Sequence, residues 1–240
     1  MFHGLPSDDV TLLRGGAAGS VVAERLDRVQ PLLQWVLVRL AVLIPVKRFS
    51  AAKGRLAGVL SDHDRAELAR WMATRVVDVV AELPTFVACD DEGVAAWATE
   101  RGTEVIWGAG LGLNGAVDDG VRRITALGFD QVVVSHADLA RPGRLLDVVD
   151  AGAITLVPDR RHDGTNVMSF PTATPLAASY GGGSFGRHLE QALAFDGITV
   201  EVRSDPDLSL DLDTGRDLSH PLIREVLPPW LRTNQANPRP

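Results

Sequence analysis

Short apolar runs alternate with amphipathic stretches along the chain from Leu40 onward. The apolar runs are rich in Val and Ile and are apolar throughout, as expected of strands buried on both faces of a sheet. They predict strands at 41–46, 85–89, 104–107, 131–135, 154–157, 166–170 and 198–202. The amphipathic stretches predict helices at 62–81, 92–101, 115–127, 141–149 and 185–194. Strands that alternate with helices indicate a single α/β domain, with a mostly parallel central sheet flanked by helices.

The two ends of the chain depart from this alternation. Residues 1–38 are predicted to form an N-terminal extension outside the catalytic fold, with a short amphipathic helix over 21–37. The domain itself is expected over 39–227. The tail at 228–240 contains four prolines and no apolar period, which predicts a disordered segment.

Composition adds mainly exclusions. Of the 240 residues, 45% are hydrophobic and 23% are charged, which is ordinary for a globular domain. The net charge of −7 argues against a nucleic-acid partner, and a single cysteine, Cys89, excludes a disulfide framework. The most apolar run, 32–46, is interrupted by Gln34, Arg39 and Pro45 and is shorter than the roughly 20 residues of a membrane span. Because the N-terminus also lacks a signal-peptide pattern, we expect a cytoplasmic protein with no membrane partner.

A cationic loop follows the first predicted strand, at the end where ligands of open α/β sheets bind. It contains Lys47, Arg48, Lys53 and Arg55, separated by small residues. Four cations in one such loop can surround a polyphosphate. The alternative is a solvated surface loop, because Lys and Arg usually lie outside.

A glycine-rich loop follows the third predicted strand. Gly110, Gly112 and Gly115 formally match the G-x-G-x-x-G pattern of an NAD-dependent oxidoreductase. The position argues against that function, because the loop follows the third strand and the acidic residue about twenty positions on, Asp130, precedes the next strand. We favour a loop whose backbone N–H groups, with Asn114, approach a nucleotide at a helix N-terminus.

Carboxylates follow the fourth predicted strand and recur late in the chain. Asp138 comes just after that strand, and Asp211 and Asp213 are two residues apart in an extended segment, so that they point the same way. Asp138 with Asp211 or Asp213 would form the two-carboxylate magnesium site that nucleotidyl transfer needs. The alternative interpretation of Asp138 is a helix N-cap.

Two more polar loops, at 163–166 and 180–188, contain glycine and hydroxyl side chains. Backbone N–H groups and the Ser184 hydroxyl suit a phosphate. Each loop alone is explained by turn chemistry, but five polar loops along one α/β domain favour a phosphate-rich site. His136 and His162 lie near this site and are interpreted as surface or hydrogen-bonding residues, since the six histidines show no metal-binding spacing.

Taken together, these segments resemble the phosphoenolpyruvate and 2-phospho-L-lactate guanylyltransferases of coenzyme F-420 biosynthesis. The resemblance is collinear over about three quarters of the chain and rests on residues 44–47, 50–56, 112–114, 137–139, 163–166, 183–188 and 211–214. It implies a nucleotidyltransferase fold (GT-A-like, Rossmann-like). It also implies transfer of GMP from GTP to a small phosphorylated three-carbon acid, with release of diphosphate.

The resemblance further implies roles for individual residues. The acid would be bound by Thr165, Gly181 and Ser184. The GTP phosphates would face Lys47 and Lys53, with Arg55 and Asn114 also in the nucleotide site. The Mg²⁺ ion would be held by Asp138, Asp211 and Asp213, and the catalytic group would comprise Lys47, Lys53 and Asp138.

Three positions depart from the family pattern: His136, Ala140 and Gly182. None removes a charged or hydroxyl group from the site, and the first 38 residues have no family counterpart. The open alternatives are a nucleotidyltransferase with another base or acceptor, and a regulator that senses GTP without turnover. A homodimer is compatible with the sequence, and the product is expected to pass to the next enzyme of the pathway.

Overall fold

The computed structural model describes residues 38–236. The strands are β1 Leu40–Pro45, β2 Thr85–Cys89, β3 Glu104–Trp107, β4 Gln131–Ser135, β5 Ile154–Pro158, β6 Thr165–Pro171 and β7 Val200–Val202. The α-helices are α1 Asp62–Val79, α2 Glu92–Glu100, α3 Gly112–Ala126, α4 Ser184–Leu193, α5 Gly215–Leu218, α6 Pro221–Val226 and α7 Pro229–Ala236. Three 3-10 helices span Phe49–Ala51, Gly54–Leu56 and Pro142–Val148. The helix predicted at 21–37 lies outside the described residues.

All seven strands form one sheet in the order β3-β2-β1-β4-β6-β5-β7. The pairs β1–β2, β2–β3, β1–β4 and β5–β7 are parallel, which confirms the predicted mostly parallel sheet. The exception is β6, which runs antiparallel to both β4 and β5. A short connection at 159–164 joins β5 to β6, and only antiparallel neighbours can be joined by so short a loop.

Helices cover the sheet, and β1 is the most deeply packed strand. Ala41 through Ile44 are fully buried in β1. Helix α3 lies so close to this strand that a Cβ atom at Gly120 would stand 2.7 Å from a methyl carbon of Leu43. The rigid centre of the sheet therefore supports the loop that follows β1.

A second apolar cluster joins α1 to the C-terminal helices, and it corrects the predicted disordered tail. Helix α7 forms over Pro229–Ala236, and its Leu231 is completely buried with Leu227 and Ile223. Leu231 lies in α7, whereas Leu227 directly follows α6, so the two short helices meet in this cluster. The prolines at this point precede and begin a helix, a position that proline tolerates.

The other predicted boundaries either agree with the structure or differ from it by a few residues. The strands predicted at 85–89, 104–107 and 131–135 have the predicted bounds, whereas the last strand is reduced to Val200–Val202. The helix predicted at 141–149 is the 3-10 helix Pro142–Val148. Helix α3 begins at Gly112 instead of residue 115, inside the glycine-rich loop. No helix among residues 38–236 is long and apolar enough to cross a membrane.

Candidate active site

The sheet topology brings polar segments that are far apart in the chain to one end of the strands, where β4 ends and β6 begins. Since β6 is antiparallel to β4, its first residues lie beside the end of β4, and Ser135 pairs with Val167. The chain after β4 also forms an isolated antiparallel bridge between Leu139 and Asp211. The end of β4 consequently brings together Asp138, Thr165 and the 211–213 segment.

An ion cluster of Lys53, Asp138 and Asp213 lies just beyond the end of β4. The Nζ atom of Lys53 is 2.8 Å from Oδ2 of Asp138 and 2.9 Å from Oδ1 of Asp213. The Lys53 side chain is only 5% exposed. Burial alone would lower the pKa of Lys53, but the two carboxylates outweigh it and raise the pKa. Burial likewise opposes ionisation of Asp138, yet Lys53 holds the pKa of that carboxyl well below its usual range. The ion pair of Lys53 with Asp138 therefore stays ionised.

The cluster carries more negative than positive charge. Asp211 lines the same cavity as Asp138 and Asp213, and burial together with these two carboxylates raises the pKa of Asp211 to about 6. Oδ1 of Asp138 is buried and has no hydrogen-bond partner. Three carboxylates therefore line the cavity close to one buried ammonium.

The predicted magnesium ligands do not form a complete metal centre by themselves. Within residues 38–236, no group of three or more His, Cys, Asp or Glu side chains is arranged to hold a metal ion. Instead, the ammonium of Lys53 lies between Asp138 and Asp213. Magnesium is commonly held by one or two carboxylates together with substrate phosphates. The free Oδ1 of Asp138 fits that mode of binding.

Two cavities meet at the cluster. The larger, about 590 Å³, is lined by residues that include Arg55, Asp138, Thr165, Gly181, Ser184, Asp211 and Asp213. The smaller, about 300 Å³, is lined by residues that include Lys47, Phe49, Lys53, Asp138 and Asp213. Both contain Leu113 and His136 in their walls as well. A ligand with two parts can therefore occupy both cavities across Asp138.

Three buried polar atoms in the wall of the larger cavity have no hydrogen-bond partner. They are Nε2 of His136, Oδ1 of Asp138 and the hydroxyl oxygen of Tyr180. The rings of His136 and Tyr180 are 4.9 Å apart, and burial raises the pKa of the Tyr180 phenol, which therefore stays neutral. Buried polar groups are nearly always paired in native proteins, so this group is suited to a polar ligand. The sequence prediction missed Tyr180, although it is the only tyrosine in the chain and stands in a glycine-rich loop.

The predicted acid-binding residues lie together on the larger cavity. Thr165 and Ser184 are 1% and 2% exposed, and the Thr165 N–H donates to Oγ of Ser184 at 3.2 Å. Gly181 has a φ of 122°, a backbone conformation that favours glycine. Helix α4 begins at Ser184, and its first N–H groups bind the two neighbouring loops: Ser184 donates to the Gly181 carbonyl and Phe185 to the Asp163 carbonyl, both at 3.0 Å.

The predicted nucleotide-binding residues are placed less uniformly. Lys47 is exposed and lies in the wall of the smaller cavity, whereas Lys53 is fully engaged in the ion cluster. Arg55 is 77% exposed and lies 3.8 Å from Asp213. Asn114 lies in the first turn of α3, where its Oδ1 accepts from the N–H of Tyr180 at 2.8 Å and its Nδ2 donates to the Tyr180 carbonyl at 3.4 Å. Asn114 thus joins α3 to the loop that contains Tyr180, and its role toward a nucleotide stays a prediction.

The glycine-rich loop does not have the location of a dinucleotide site. Gly110 and Gly112 have φ values of 72° and 66° and make the turn into α3. The loop, however, follows β3, which is the edge strand of the sheet. A dinucleotide site lies at the central crevice of the sheet, where the strand order reverses.

Fold and site together define a nucleotidyltransferase. A crystal structure from Desulfovibrio desulfuricans G20, provisionally described as a nucleotide-diphospho-sugar transferase, matches with a TM-score of 0.65 over 83% of this chain and 96% of that one. At 16% identity this match shows a likeness of fold alone. Residues 40–225 match the family described as guanylyl transferase CofC like, and the chain belongs to that family. The family resemblance seen in the sequence is thus confirmed, and the NAD-dependent oxidoreductase is excluded.

Two relatives show how far the similarity extends. The chain is 34% identical over 186 residues to the phosphoenolpyruvate guanylyltransferase of Rubrobacter xylanophilus, covering 74% of this chain and 90% of the relative. It is 30% identical over 195 residues to the 2-phospho-L-lactate guanylyltransferase of Methanothermobacter thermautotrophicus, covering 78% of this chain and 85% of the relative.

Proposed function

We propose that the protein transfers GMP from GTP to phosphoenolpyruvate or 2-phospho-L-lactate, with release of diphosphate, as a step in coenzyme F-420 biosynthesis. The observation that carries this proposal is the junction of two cavities at Asp138, one lined by Lys47 and Lys53 and the other by Thr165 and Ser184. The relatives named for the two acids support the same substrates. The reaction is expected in the cytoplasm, and the next enzyme of the pathway would consume the product.

The reaction is an in-line displacement at phosphorus. A phosphate oxygen of the acid attacks the α-phosphorus of GTP, a new P–O bond forms, and the bond to the β-phosphate breaks with diphosphate as the leaving group. Such transfers depend mainly on positioning and on neutralising charge. Thr165 and Ser184 would hold the acid, and Lys47 would face the phosphates of GTP. No covalent intermediate on the protein is needed.

The carboxylates suit a magnesium ion that arrives with the nucleotide. Asp138, with Asp211 or Asp213, would hold it, and Lys53 forms ion pairs with both Asp138 and Asp213. When bound, magnesium would neutralise phosphate charge and orient the α-phosphate.

A substrate matrix tests the proposal. Each of the four ribonucleoside triphosphates is mixed with phosphoenolpyruvate, 2-phospho-L-lactate or 3-phosphoglycerate, with magnesium or with EDTA, and diphosphate release is measured. We expect release with GTP and one of the first two acids, and ³¹P NMR should show the new diphosphate linkage in the product. Equal or faster release with another nucleotide would replace guanylyl transfer by a different nucleotidyl transfer. Binding of GTP with no release under any condition would indicate a GTP-sensing regulator.

A further inference from the structure

Both hydroxyl groups at the larger cavity already have a hydrogen-bond partner in the protein. Oγ of Ser184 accepts from the Thr165 N–H at 3.2 Å, and Oγ1 of Thr165 lies 2.9 Å from Nδ1 of His188. Among residues 38–236, the Ser184 hydroxyl donates to no protein group, and Nδ1 of His188 is the one hydrogen-bond partner of the Thr165 hydroxyl. The orientation of the Thr165 hydroxyl proton therefore depends on which nitrogen of His188 carries a hydrogen.

The backbone determines the tautomer of His188. Its Nε2 lies 3.0 Å from the N–H of Ser179. A backbone N–H can only donate, so Nε2 must be the unprotonated acceptor and the ring hydrogen of the neutral imidazole must lie on Nδ1. His188 is completely buried, and burial together with the charge of Arg187 lowers the pKa of its imidazole to about 4. Nδ1 consequently donates to Thr165.

This tautomer has a consequence for the ligand. With Oγ1 of Thr165 accepting from His188, the hydroxyl proton is left to point elsewhere. The phosphate and carboxylate groups of the proposed acid can only accept hydrogen bonds when ionised. With the opposite tautomer, Thr165 would donate to His188 and present a lone pair to the anion, which is repulsive.

We propose that His188 is a positioning residue that fixes the Thr165 hydroxyl as a hydrogen-bond donor to an anionic group of the acid substrate. The proposal rests on the proposed function, because it assumes that the acid occupies the larger cavity. His188 itself does not need to touch the substrate. The adjacent ring of Tyr180 packs against the imidazole and holds it in place. The two ring centroids are 5.1 Å apart, and the angle between the ring planes is 72°.

Two substitutions separate the halves of the imidazole. In His188→Gln the amide oxygen can accept from Ser179 as Nε2 does, but no donor remains at the position of Nδ1. In His188→Asn the amide nitrogen lies near the position of Nδ1 and can still donate to Thr165. We expect His188→Gln to raise the KM for phosphoenolpyruvate about ten- to a hundredfold, with little change in the KM for GTP. His188→Asn should recover most of this loss.

Gln191 offers a matched control on the same helix. Like His188, it binds the segment 177–179. Its amide nitrogen donates to the Ser179 hydroxyl at 3.0 Å, and its amide oxygen accepts from the Ala177 N–H at 2.9 Å. Gln191 has no hydrogen bond to Thr165. Gln191→Ala should lower Tm and leave both KM values unchanged. A rise in the KM for phosphoenolpyruvate equal to that of His188→Gln would mean that looseness of the segment, and not the donor, is responsible, and would overturn the proposal.

Two further measurements complete the test. ¹⁵N NMR of the imidazoles in the wild-type protein should show His188 as the Nδ1–H tautomer, and the Nε2–H tautomer would overturn the proposal even if no variant folds. In a Thr165→Val background, His188→Gln should add no further rise in the KM for phosphoenolpyruvate, and additive effects would contradict the coupling. Wild-type protein that releases no diphosphate would instead refute the proposed function, and the tautomer measurement would remain informative.

Discussion

At the scale of single residues, the site depends on one lysine shared between two carboxylates. Lys53 binds Asp138, 85 positions away, and Asp213, 160 positions away. Lys53 adopts a left-handed backbone conformation with φ of 55°, which is costly for a residue with a Cβ atom and persists where the surroundings enforce it. The two ion pairs supply that enforcement, so the backbone of the cationic loop and the carboxylates are positioned together.

Removing the charge of Asp138 tests the role of this cluster. Asp138→Asn keeps the shape of the side chain and should lower kcat by about 10²–10³-fold, the cost of losing a key electrostatic group at a reacting phosphate. Replacing Asp211 and Asp213 together by Asn should have a similar effect. Circular dichroism should show an unchanged fold, and Asp147→Asn, at a surface carboxylate that is 61% exposed, should keep the normal rate. Near-normal turnover of Asp138→Asn would remove Asp138 from the machinery.

The two hydroxyls at the larger cavity should act on the acid and not on the nucleotide. Thr165→Val and Ser184→Ala should each raise the KM for phosphoenolpyruvate by about ten- to a hundredfold, since a hydrogen bond to a charged group is worth roughly 1.5–3 kcal/mol. Lys47→Ala should instead weaken the binding of GTP, because Lys47 lines the smaller cavity. Steady-state kinetics with each substrate varied in turn measure both effects. If the hydroxyl variants lost GTP affinity and kept the acid's, the two cavities would be assigned the wrong way round.

At the scale of elements, the short helix α5 holds the late carboxylates in place. Oδ2 of Asp217 accepts from the N–H groups of Asp213 and Thr214 at 3.0 and 2.7 Å, and Oδ1 accepts from Arg160 at 2.7 Å. Asp217 is 5% exposed. This network fixes the backbone at Asp213 and thereby the carboxylate that pairs with Lys53.

A comparison of two helix caps tests whether α5 serves the site. Asp217→Asn should cost about 1–2 kcal/mol of stability, lowering Tm by roughly 2–8 °C for a domain of this size, and it should also reduce kcat because Asp213 is no longer held. Ser61→Ala removes the cap of α1, where Oγ accepts from the Asp64 N–H at 3.1 Å, and should lower Tm alone. Thermal melts and kinetics on both variants distinguish the outcomes. Equal kinetic effects would mean that general destabilisation explains the loss.

Local patterns predicted most elements, because strands buried on both faces and capped amphipathic helices have local signatures. Lys53 and Asp138 were predicted as site residues because they follow β1 and β4, at the strand ends where ligands of α/β sheets bind. The contact between them could not be predicted, because no local pattern reports a pairing across 85 positions. The reversed direction of β6, which brings Thr165 to the site, also depends on tertiary pairing. Helix α7 was missed because the prolines of this segment indicated disorder, whereas the burial of Leu231 that stabilises the helix depends on tertiary packing.

At the scale of the whole molecule, the negative net charge opposes the binding of a negatively charged nucleotide at the site. The chain carries −7, so its overall field repels a nucleoside triphosphate, and attraction must come from local cations. Lys47 lines the smaller cavity, and Arg55, Arg160 and Arg161 line the larger one. The larger cavity also contains carboxylates away from the junction, but Asp217 pairs with Arg160, and Asp159 and Asp163 accept from backbone N–H groups. Cations therefore lie on both sides of Asp138, which favours a ligand that carries phosphate at both ends.

The last prediction concerns the part of the chain needed for activity. The family match begins at residue 40, β1 begins at Leu40, and the residues that line the two cavities fall within 45–217. Deleting residues 1–36 should therefore leave kcat, both KM values and Tm unchanged. Deleting residues 1–42 removes half of β1, whose Ala41 and Val42 are fully buried, and should abolish folding. A folded 1–36 deletion that has lost activity would show that the N-terminal segment contributes to the site or to an interface that activity requires.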